Sequence, residues 1–219
     1  MFESFKNRIN KAGPVIRSVV TAEIIFIIIF SFFIGNCFVP TESMAPTING
    51  GDCILVNRLA YKNEEPERYD AIVFKSPDKE NGKTVWLTKR IIGIPGDTIE
   101  IKDGITYINN EKITESYVNT QTGSYGPFYV PKAGDEVEYN SSTDEALINN
   151  IVVGNKSFLD KYCKKANEKY YVSENCYFCL GDNRNNSYDS RFWENKYTVE
   201  SEMMGKLMFN ISQMTYDFQ

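Results

Sequence analysis

A long apolar segment near the N-terminus constrains this chain more than any other feature. Residues 18–38 read SVVTAEIIFIIIFSFFIGNCF, and residues 24–33 are almost entirely isoleucine and phenylalanine. At ~1.5 Å rise per residue, a helix of this length matches a hydrocarbon core of ~30 Å. The segment has no polar face, which argues against a core helix of a soluble domain. We therefore predict a transmembrane helix over 18–38, followed by a part that folds in water.

The residues around this segment predict its orientation and its fate. Residues 1–17 hold four basic residues and one acidic residue, whereas the whole chain has a net charge of −5. The basic flank predicts a cytoplasmic N-terminus over 1–17 and an extracytoplasmic C-terminal part, in a single-pass protein of the plasma membrane. The alternative is a cleavable signal peptide, which has a shorter apolar region and a small-x-small cleavage site. Because residues 39–42 (Val-Pro-Thr-Glu) make a poor cleavage site, we favour an uncleaved anchor.

The sequence after Pro40 predicts a mainly β fold. Short runs of β-forming residues are separated by glycine, asparagine and aspartate. The predicted strands are 53–59, 71–75, 85–92, 98–102, 136–139, 169–172, 177–180 and 206–211, and turns at Asp103-Gly104 and Asn109-Asn110 make 99–113 a meander. Short helices are predicted at 144–153 and 158–166. We interpret 114–175 as an inserted or variable subdomain between two parts of a core, 39–113 and 176–219.

Composition excludes several kinds of site. The chain has no histidine, so Ser-His-Asp and Cys-His arrangements and His-containing metal sites are excluded. Its five cysteines are too few for a disulfide framework, and Cys176-x-x-Cys179 lacks two further zinc ligands. We expect small buried side chains or one disulfide, with the state of Cys163, Cys176 and Cys179 left open, and neither metal nor cofactor. The acidic main body argues against nucleic acid as a partner.

Ser43 is the first candidate catalytic residue. A loop serine ordinarily does no more than form hydrogen bonds, but Ser43 lies five residues beyond the apolar segment. It also lies between Pro40 and Pro46, which restrict the backbone. Without histidine, its general base has to be another group, and a desolvated lysine is the known alternative.

Lys89 is the candidate base. Alternate side chains of a strand share a face, so Lys89 points with Leu87 and Ile91 and is the one charge on an aliphatic face. Burial there lowers the pKa of the amine toward the range that suits a general base. The adjacent Arg90 does not lose its proton in proteins. The strand alone leaves open a lysine that snorkels from a strand edge.

A third cluster, residues 181–193, is rich in hydrogen-bonding side chains and follows the predicted strand 177–180. It is either a polar surface loop or a network that fixes a nearby catalytic centre. A serine in it can orient the lysine amine.

Taken together, these segments resemble those of bacterial type I signal peptidases, the membrane-anchored Ser/Lys proteases that remove signal peptides from exported preproteins. The segments that carry the resemblance are Ser43-Met44-Ala45-Pro46-Thr47, Gly51-Asp52-Cys53-Ile54-Leu55-Val56-Asn57, Lys89-Arg90-Ile91-Ile92-Gly93-Ile94-Pro95-Gly96-Asp97 and Gly181–Arg191. They occur in the order of the family. The resemblance implies a signal-peptidase/LexA-like β catalytic domain, with an inserted subdomain, behind a single transmembrane helix.

The resemblance also implies roles for residues. Ser43 is expected to be the nucleophile and Lys89 the general base, with the Ser43 N–H and the Thr41 hydroxyl as the oxyanion hole. The expected supporting residues are Ser187, which orients Lys89, and Asp189, Arg191, Asp182 and Arg184. Thr41 stands where several members have serine, Glu42 where a small residue is common, and Glu194 where glycine is common.

The expected partners are secretory preproteins with small residues at positions −1 and −3, the lipid bilayer, and a nearby export translocon. Three rival interpretations are weaker. A LexA-like self-cleaving repressor carries a DNA-binding domain in place of the anchor, and a cysteine protease lacks its histidine. An anchored β domain that binds exported proteins without cutting them would not need both Ser43 and Lys89.

Overall fold

The fold is described from a computed structural model that covers residues 13–78, 82–118 and 120–216. Most of the predicted cytoplasmic segment, residues 1–12, lies outside this range. The described chain is mainly β, with one long helix at its N-terminal end. The fold class predicted from the sequence is confirmed.

The long helix, α1 (Pro14–Phe33), contains most of the apolar segment. This helix of 20 residues is long and apolar enough to cross a membrane, and none of the span is buried inside the protein. The predicted span of 18–38 differs at both ends. Pro14 opens the helix, where its missing N–H costs nothing, and residues 34–38 leave the helix because they pair as a strand.

Sixteen strands follow in the described chain, in three antiparallel sheets. The largest has the order β1-β2-β16-β3-β4-β14-β15. Its strands are β1 (Ile34–Phe38), β2 (Cys53–Asn57), β3 (Ala71–Lys75), β4 (Trp86–Gly93), β14 (Cys176–Leu180), β15 (Thr198–Val199) and β16 (Met203–Asn210). Because β4 lies between β3 and β14, both of its edges are hydrogen-bonded to a neighbouring strand.

The other two sheets contain the middle of the chain. One has the order β7-β6-β5-β8, with β5 (Thr98–Lys102), β6 (Ile105–Ile108), β7 (Glu111–Lys112) and β8 (Tyr125–Tyr129). The other has the order β11-β10-β9-β13-β12, with β9 (Glu136–Asn140), β10 (Glu145–Ile148), β11 (Ile151–Gly154), β12 (Cys163–Ala166) and β13 (Lys169–Val172). Two short helices, α2 (Lys156–Tyr162) and α3 (Ile211–Tyr216), complete the described elements.

The apolar residues form three buried clusters. The largest spans the two smaller sheets and the outer side of β4 and β14. A second lies beneath the β1–β2 connection and includes Met44 and Ile48. The third, on the other side of β4, includes Ile91, Cys179 and Trp193. The candidate lysine therefore lies on a strand that is packed on both sides.

Of the two short helices predicted from the sequence, the one at 144–153 is wrong and the one at 158–166 has different bounds. Residues 144–153 form the β10–β11 hairpin, because Asn149 and Asn150 both adopt positive φ (51° and 62°) and make a tight turn. The helix predicted at 158–166 is α2, which starts earlier because the Asn155 side chain accepts hydrogen bonds from the N–H groups of Ser157 and Phe158. Residues 163–166 instead form β12 and pair with β13.

Candidate active site

The β1–β2 connection holds Ser43 in place. Its two ends are tied together, since the Val39 N–H donates to the Asp52 carbonyl (2.9 Å) and the Gly51 N–H to the Val39 carbonyl (2.8 Å). Met44 and Ile48 form an isolated bridge and are fully buried beneath the loop. These two apolar anchors leave Ser43 at the surface of the sheet, 8% exposed.

Lys89 lies on β4, opposite Ile72 of β3. Its amine approaches the serine closely, with Nζ 2.6 Å from Ser43 Oγ. The residue is 3% exposed, so the snorkelling alternative is excluded and the predicted burial on the Leu87–Ile91 face is confirmed. Desolvation lowers the pKa of the amine from 10.5 to about 8, against the opposing charge of Asp189. Lys89 is therefore still mostly protonated at pH 7, and about half of it is uncharged at pH 8.

Cavities adjoin the Ser43–Lys89 pair. A cleft of about 320 Å³ is lined by both residues together with Thr41, Asp78 and Tyr188. A smaller cavity of about 70 Å³ is lined mainly by apolar residues, among them Val39, Pro40, Val73, Trp86 and Leu87, and it also reaches Ser43 and Lys89. The Thr41 hydroxyl lies 3.3 Å from Ser43 Oγ. Ser43 therefore opens into a cleft, and a narrow apolar recess lies beside it.

Asp182 connects β4 to the serine loop. It accepts two hydrogen bonds from Arg90, Nε to Oδ1 at 2.8 Å and Nη2 to Oδ2 at 2.6 Å. It also accepts one from the hydroxyl of Thr47 at 2.6 Å. Because Arg90 is bidentate and Asp182 is buried, the pair fixes the loop geometrically.

The next residue, Asn183, binds the serine loop directly. Its backbone N–H donates to the Ser43 carbonyl (3.1 Å), and its side-chain amide donates to the Glu42 carbonyl (3.0 Å). Gly181 allows this approach, since a Cβ there would collide with the Ser43 carbonyl oxygen and with Ser187 Oγ. Residues 181–183 thus clamp the backbone of the candidate nucleophile.

The remaining predicted supporting residues lie in the same loop. Asp189 is fully buried and receives Arg191 Nε (2.8 Å), Arg191 Nη2 (2.9 Å) and the Gly181 N–H (3.1 Å). Arg184 Nε donates to the Gly181 carbonyl at 3.0 Å, and Arg191 Nη2 donates to the Arg184 carbonyl at 2.6 Å. The loop is therefore braced internally by buried ion pairs and backbone hydrogen bonds.

Ser187 lies in the site, but its hydroxyl does not form the predicted hydrogen bond with Lys89. Its side-chain oxygen is buried and has no hydrogen-bond partner within the described part of the chain. It lies against Gly181, beside the Ser43 carbonyl.

Sequence reasoning missed several contacts that position the site. The sequence identifies Arg90 only as a residue that does not serve as the base, and it gives no role of their own to Thr47 and Asn183, which lie in the segments that carry the resemblance. It gives none to Glu115 either, whose carboxylate accepts a hydrogen bond from Arg184. The alternation of β4 was the available signal for Arg90, since it must point away from Lys89. The other contacts depend on loop positions that no periodicity gives.

In residues 13–78, 82–118 and 120–216, no cluster of three or more acidic or cysteine residues is placed to hold a metal ion. All five cysteines are free thiols in this structure. Burial raises the pKa of the Cys163 thiol to about 12.

The chain resembles known proteins along most of its length. The family described as "Signal peptidase, peptidase S26" matches residues 13–211. A signal peptidase I of Pseudomonas aeruginosa is 28% identical over 231 residues, covering 92% of this chain and 75% of the relative. A signal peptidase I of Bacillus caldolyticus is 30% identical over 178 residues, covering 81% of this chain and 79% of the relative. A solved signal peptidase I structure from Enterococcus faecalis is 28% identical and covers 66% of this chain and 98% of its own, with a TM-score of 0.37.

Proposed function

We propose that this chain, which belongs to the signal peptidase family and is a serine peptidase, cleaves signal peptides with Ser43 as nucleophile and Lys89 as general base. The observation that carries the proposal is the 2.6 Å separation of Ser43 Oγ and Lys89 Nζ, with the amine buried and its pKa lowered to about 8. An uncharged amine at hydrogen-bond distance accepts the hydroxyl proton as the oxygen attacks the scissile carbonyl.

The later steps use the same groups. The Ser43 backbone N–H and the Thr41 hydroxyl stabilise the oxyanion of the tetrahedral intermediate, and the distance of 3.3 Å between Thr41 Oγ1 and Ser43 Oγ supports this role. Lys89 gives its proton to the leaving amine, and an ester on Ser43 remains. The neutral amine then takes a proton from a water that hydrolyses the ester. Asp182, Arg184, Asp189 and Arg191 brace the site, and Ser187, whose hydroxyl has no partner in the described part of the chain, turns toward Lys89 to orient the amine during the reaction.

The substrates are secretory preproteins with small residues at positions −1 and −3. The narrow apolar recess of about 70 Å³ supports a small side chain near the scissile bond. The α1 helix anchors the enzyme in the plasma membrane in a single pass, with the N-terminus cytoplasmic and the catalytic domain outside, close to the export translocon. The segments 39–113 and 176–219 form the catalytic core around the insertion 114–175.

The experiment compares the cleavage of a preprotein by the full chain in detergent for wild type, Ser43→Ala and Lys89→Ala. Matched controls are Ser201→Ala and Lys196→Ala, because Lys196 is another partly buried lysine whose pKa is lowered by burial. We expect cleavage by wild type and both controls and none by the two site variants. Unchanged cleavage by Ser43→Ala or Lys89→Ala refutes the mechanism, and no cleavage by wild type favours a protein that binds exported chains without cutting them.

A further inference from the structure

The segment after β7 contacts residues 181–193, called the catalytic loop below. We propose that Glu115, together with Tyr117, is a positioning residue for the Ser43–Lys89 pair. Sequence patterns place both residues at the start of the variable insertion, away from the chemistry. This inference rests on the proposed function, because it concerns the geometry of that same pair.

Glu115 neutralises a buried guanidinium. Arg184 Nη1 donates to Glu115 Oε2 at 3.0 Å, and Arg184 Nη2 donates to Glu115 Oε1. The side chains of Arg184 and Glu115 are 0% and 8% exposed, so neither charge is hydrated. The third guanidinium nitrogen, Nε, holds the Gly181 carbonyl. Glu115 thereby fixes the plane of the guanidinium that holds the first residue of the clamp.

Tyr117 supports the second arginine of the site. Its ring lies under Arg90, with the guanidinium carbon 4.1 Å from the ring centroid. Its hydroxyl donates to Glu115 Oε1 at 2.8 Å, so both residues act as one unit. Arg90 in turn makes the bidentate contact to Asp182.

The two routes converge on the clamp over the nucleophile. Glu115 acts through Arg184 on Gly181, and Tyr117 acts through Arg90 on Asp182. The following N–H, that of Asn183, holds the Ser43 carbonyl. A shift of the clamp therefore changes the position of Ser43 against the Lys89 amine, and misplacement of reacting groups by ~1 Å typically costs ~10²-fold in rate.

Charge balance gives the same group a second effect. Three largely buried guanidiniums lie in or beside residues 181–193, and each has its own carboxylate: Arg90 with Asp182, Arg191 with Asp189, and Arg184 with Glu115. Removing the Glu115 charge leaves the Arg184 guanidinium buried without a carboxylate, which destabilises the contact of Arg184 with the Gly181 carbonyl.

The experiment measures kcat and KM for the full chain in detergent, with a quenched fluorescent peptide that carries a small-x-small site. The variants are Glu115→Gln, which keeps the shape and removes the charge, and Tyr117→Phe, which keeps the ring and removes the hydroxyl. The matched control is Asp97→Asn, which breaks the ion pair to Arg68 (2.9 Å; Asp97 side chain 7% exposed) at a turn away from the pair. The unfolding temperature of each variant is measured first, and the kinetics are then recorded at a temperature below all three.

For Glu115→Gln we expect kcat to fall about 10- to 100-fold with KM within about threefold of wild type. In Tyr117→Phe we expect a smaller decrease of kcat, and in Asp97→Asn we expect the wild-type kcat. The inference is overturned if Glu115→Gln keeps kcat within about twofold of wild type, or if Asp97→Asn loses kcat to the same degree. The proposed function fails separately, through unchanged cleavage by Ser43→Ala or Lys89→Ala.

Discussion

Replacing Lys89 by methionine is expected to change how stability depends on pH, because the folded state holds an amine that resists protonation. The pKa of Lys89 is about 8 in the folded protein and 10.5 ordinarily. Methionine has a similar length and no titratable group. The Lys89→Met variant therefore isolates the cost of keeping this amine in the third apolar cluster.

The sign follows from the protons bound by each state. Between pH 8 and 10.5 the unfolded chain holds the proton and the folded chain has lost it, so raising the pH stabilises the wild type. Below pH 8 both states are protonated, and the folded protein carries the full cost of a buried ammonium. A difference of about 2.5 pKa units at ~1.36 kcal/mol each corresponds to roughly 3 kcal/mol. About 2.5 kcal/mol of this is regained between pH 7 and pH 10.

The assay is urea unfolding of the full chain in detergent, followed by tryptophan fluorescence, for wild type and Lys89→Met at pH 7, 8, 9 and 10. Other titrating groups are common to both proteins and cancel in the difference. We expect the free energy of unfolding of the wild type, relative to that of the variant, to increase by about 2.5 kcal/mol from pH 7 to pH 10, mostly above pH 8. A difference that stays constant with pH refutes the reasoning, because the amine then has its ordinary pKa in the folded state.

Three further predictions concern the groups around the pair. Thr41→Val removes the proposed oxyanion donor and is expected to lower kcat by about 10²- to 10³-fold, whereas Thr41→Ser keeps the hydroxyl and is expected to keep the wild-type kcat. Equal kcat values for the two variants in steady-state kinetics contradict the role of Thr41. Asp182→Asn leaves Arg90 without its carboxylate and is expected to destabilise the fold by about 3–5 kcal/mol in urea unfolding, whereas a loss below ~1 kcal/mol means that the pair is dispensable. Gly181→Ala introduces a Cβ against the Ser43 carbonyl and is expected to lower kcat, and wild-type kcat in this variant shows that the clamp is not needed.

Local patterns were sufficient for several strands, including one strand in each of the three sheets. The strands at 71–75, 98–102 and 169–172 have the predicted bounds, and the turns at Asp103-Gly104 and Asn109-Asn110 adopt the positive φ that such turns require. Alternation along β4 identified the buried face that carries Lys89, because a strand packed on both sides must point every second residue into one cluster.

Long-range pairing was not available from these patterns. Residues 34–38 continue the apolar segment, and only their pairing with β2 makes them a strand. Strand β8 lies within the predicted insertion, yet it pairs with β5 of the preceding meander. Glu115 likewise lies beyond the predicted core, although its carboxylate holds Arg184 of the catalytic loop. Each of these contacts joins residues far apart in the chain, so short-range periodicity carries no signal for them.

The account depends on an uncharged Lys89 amine beside Ser43, and an NMR titration of that amine tests it most directly. The full chain is prepared in detergent micelles with ¹³C-labelled lysine, and the Lys89 signal is assigned by its loss in Lys89→Met. We expect its chemical shift to titrate with a midpoint at about 8 while exposed lysines titrate near their ordinary value of 10.5. A midpoint for Lys89 at or above that ordinary value contradicts the account.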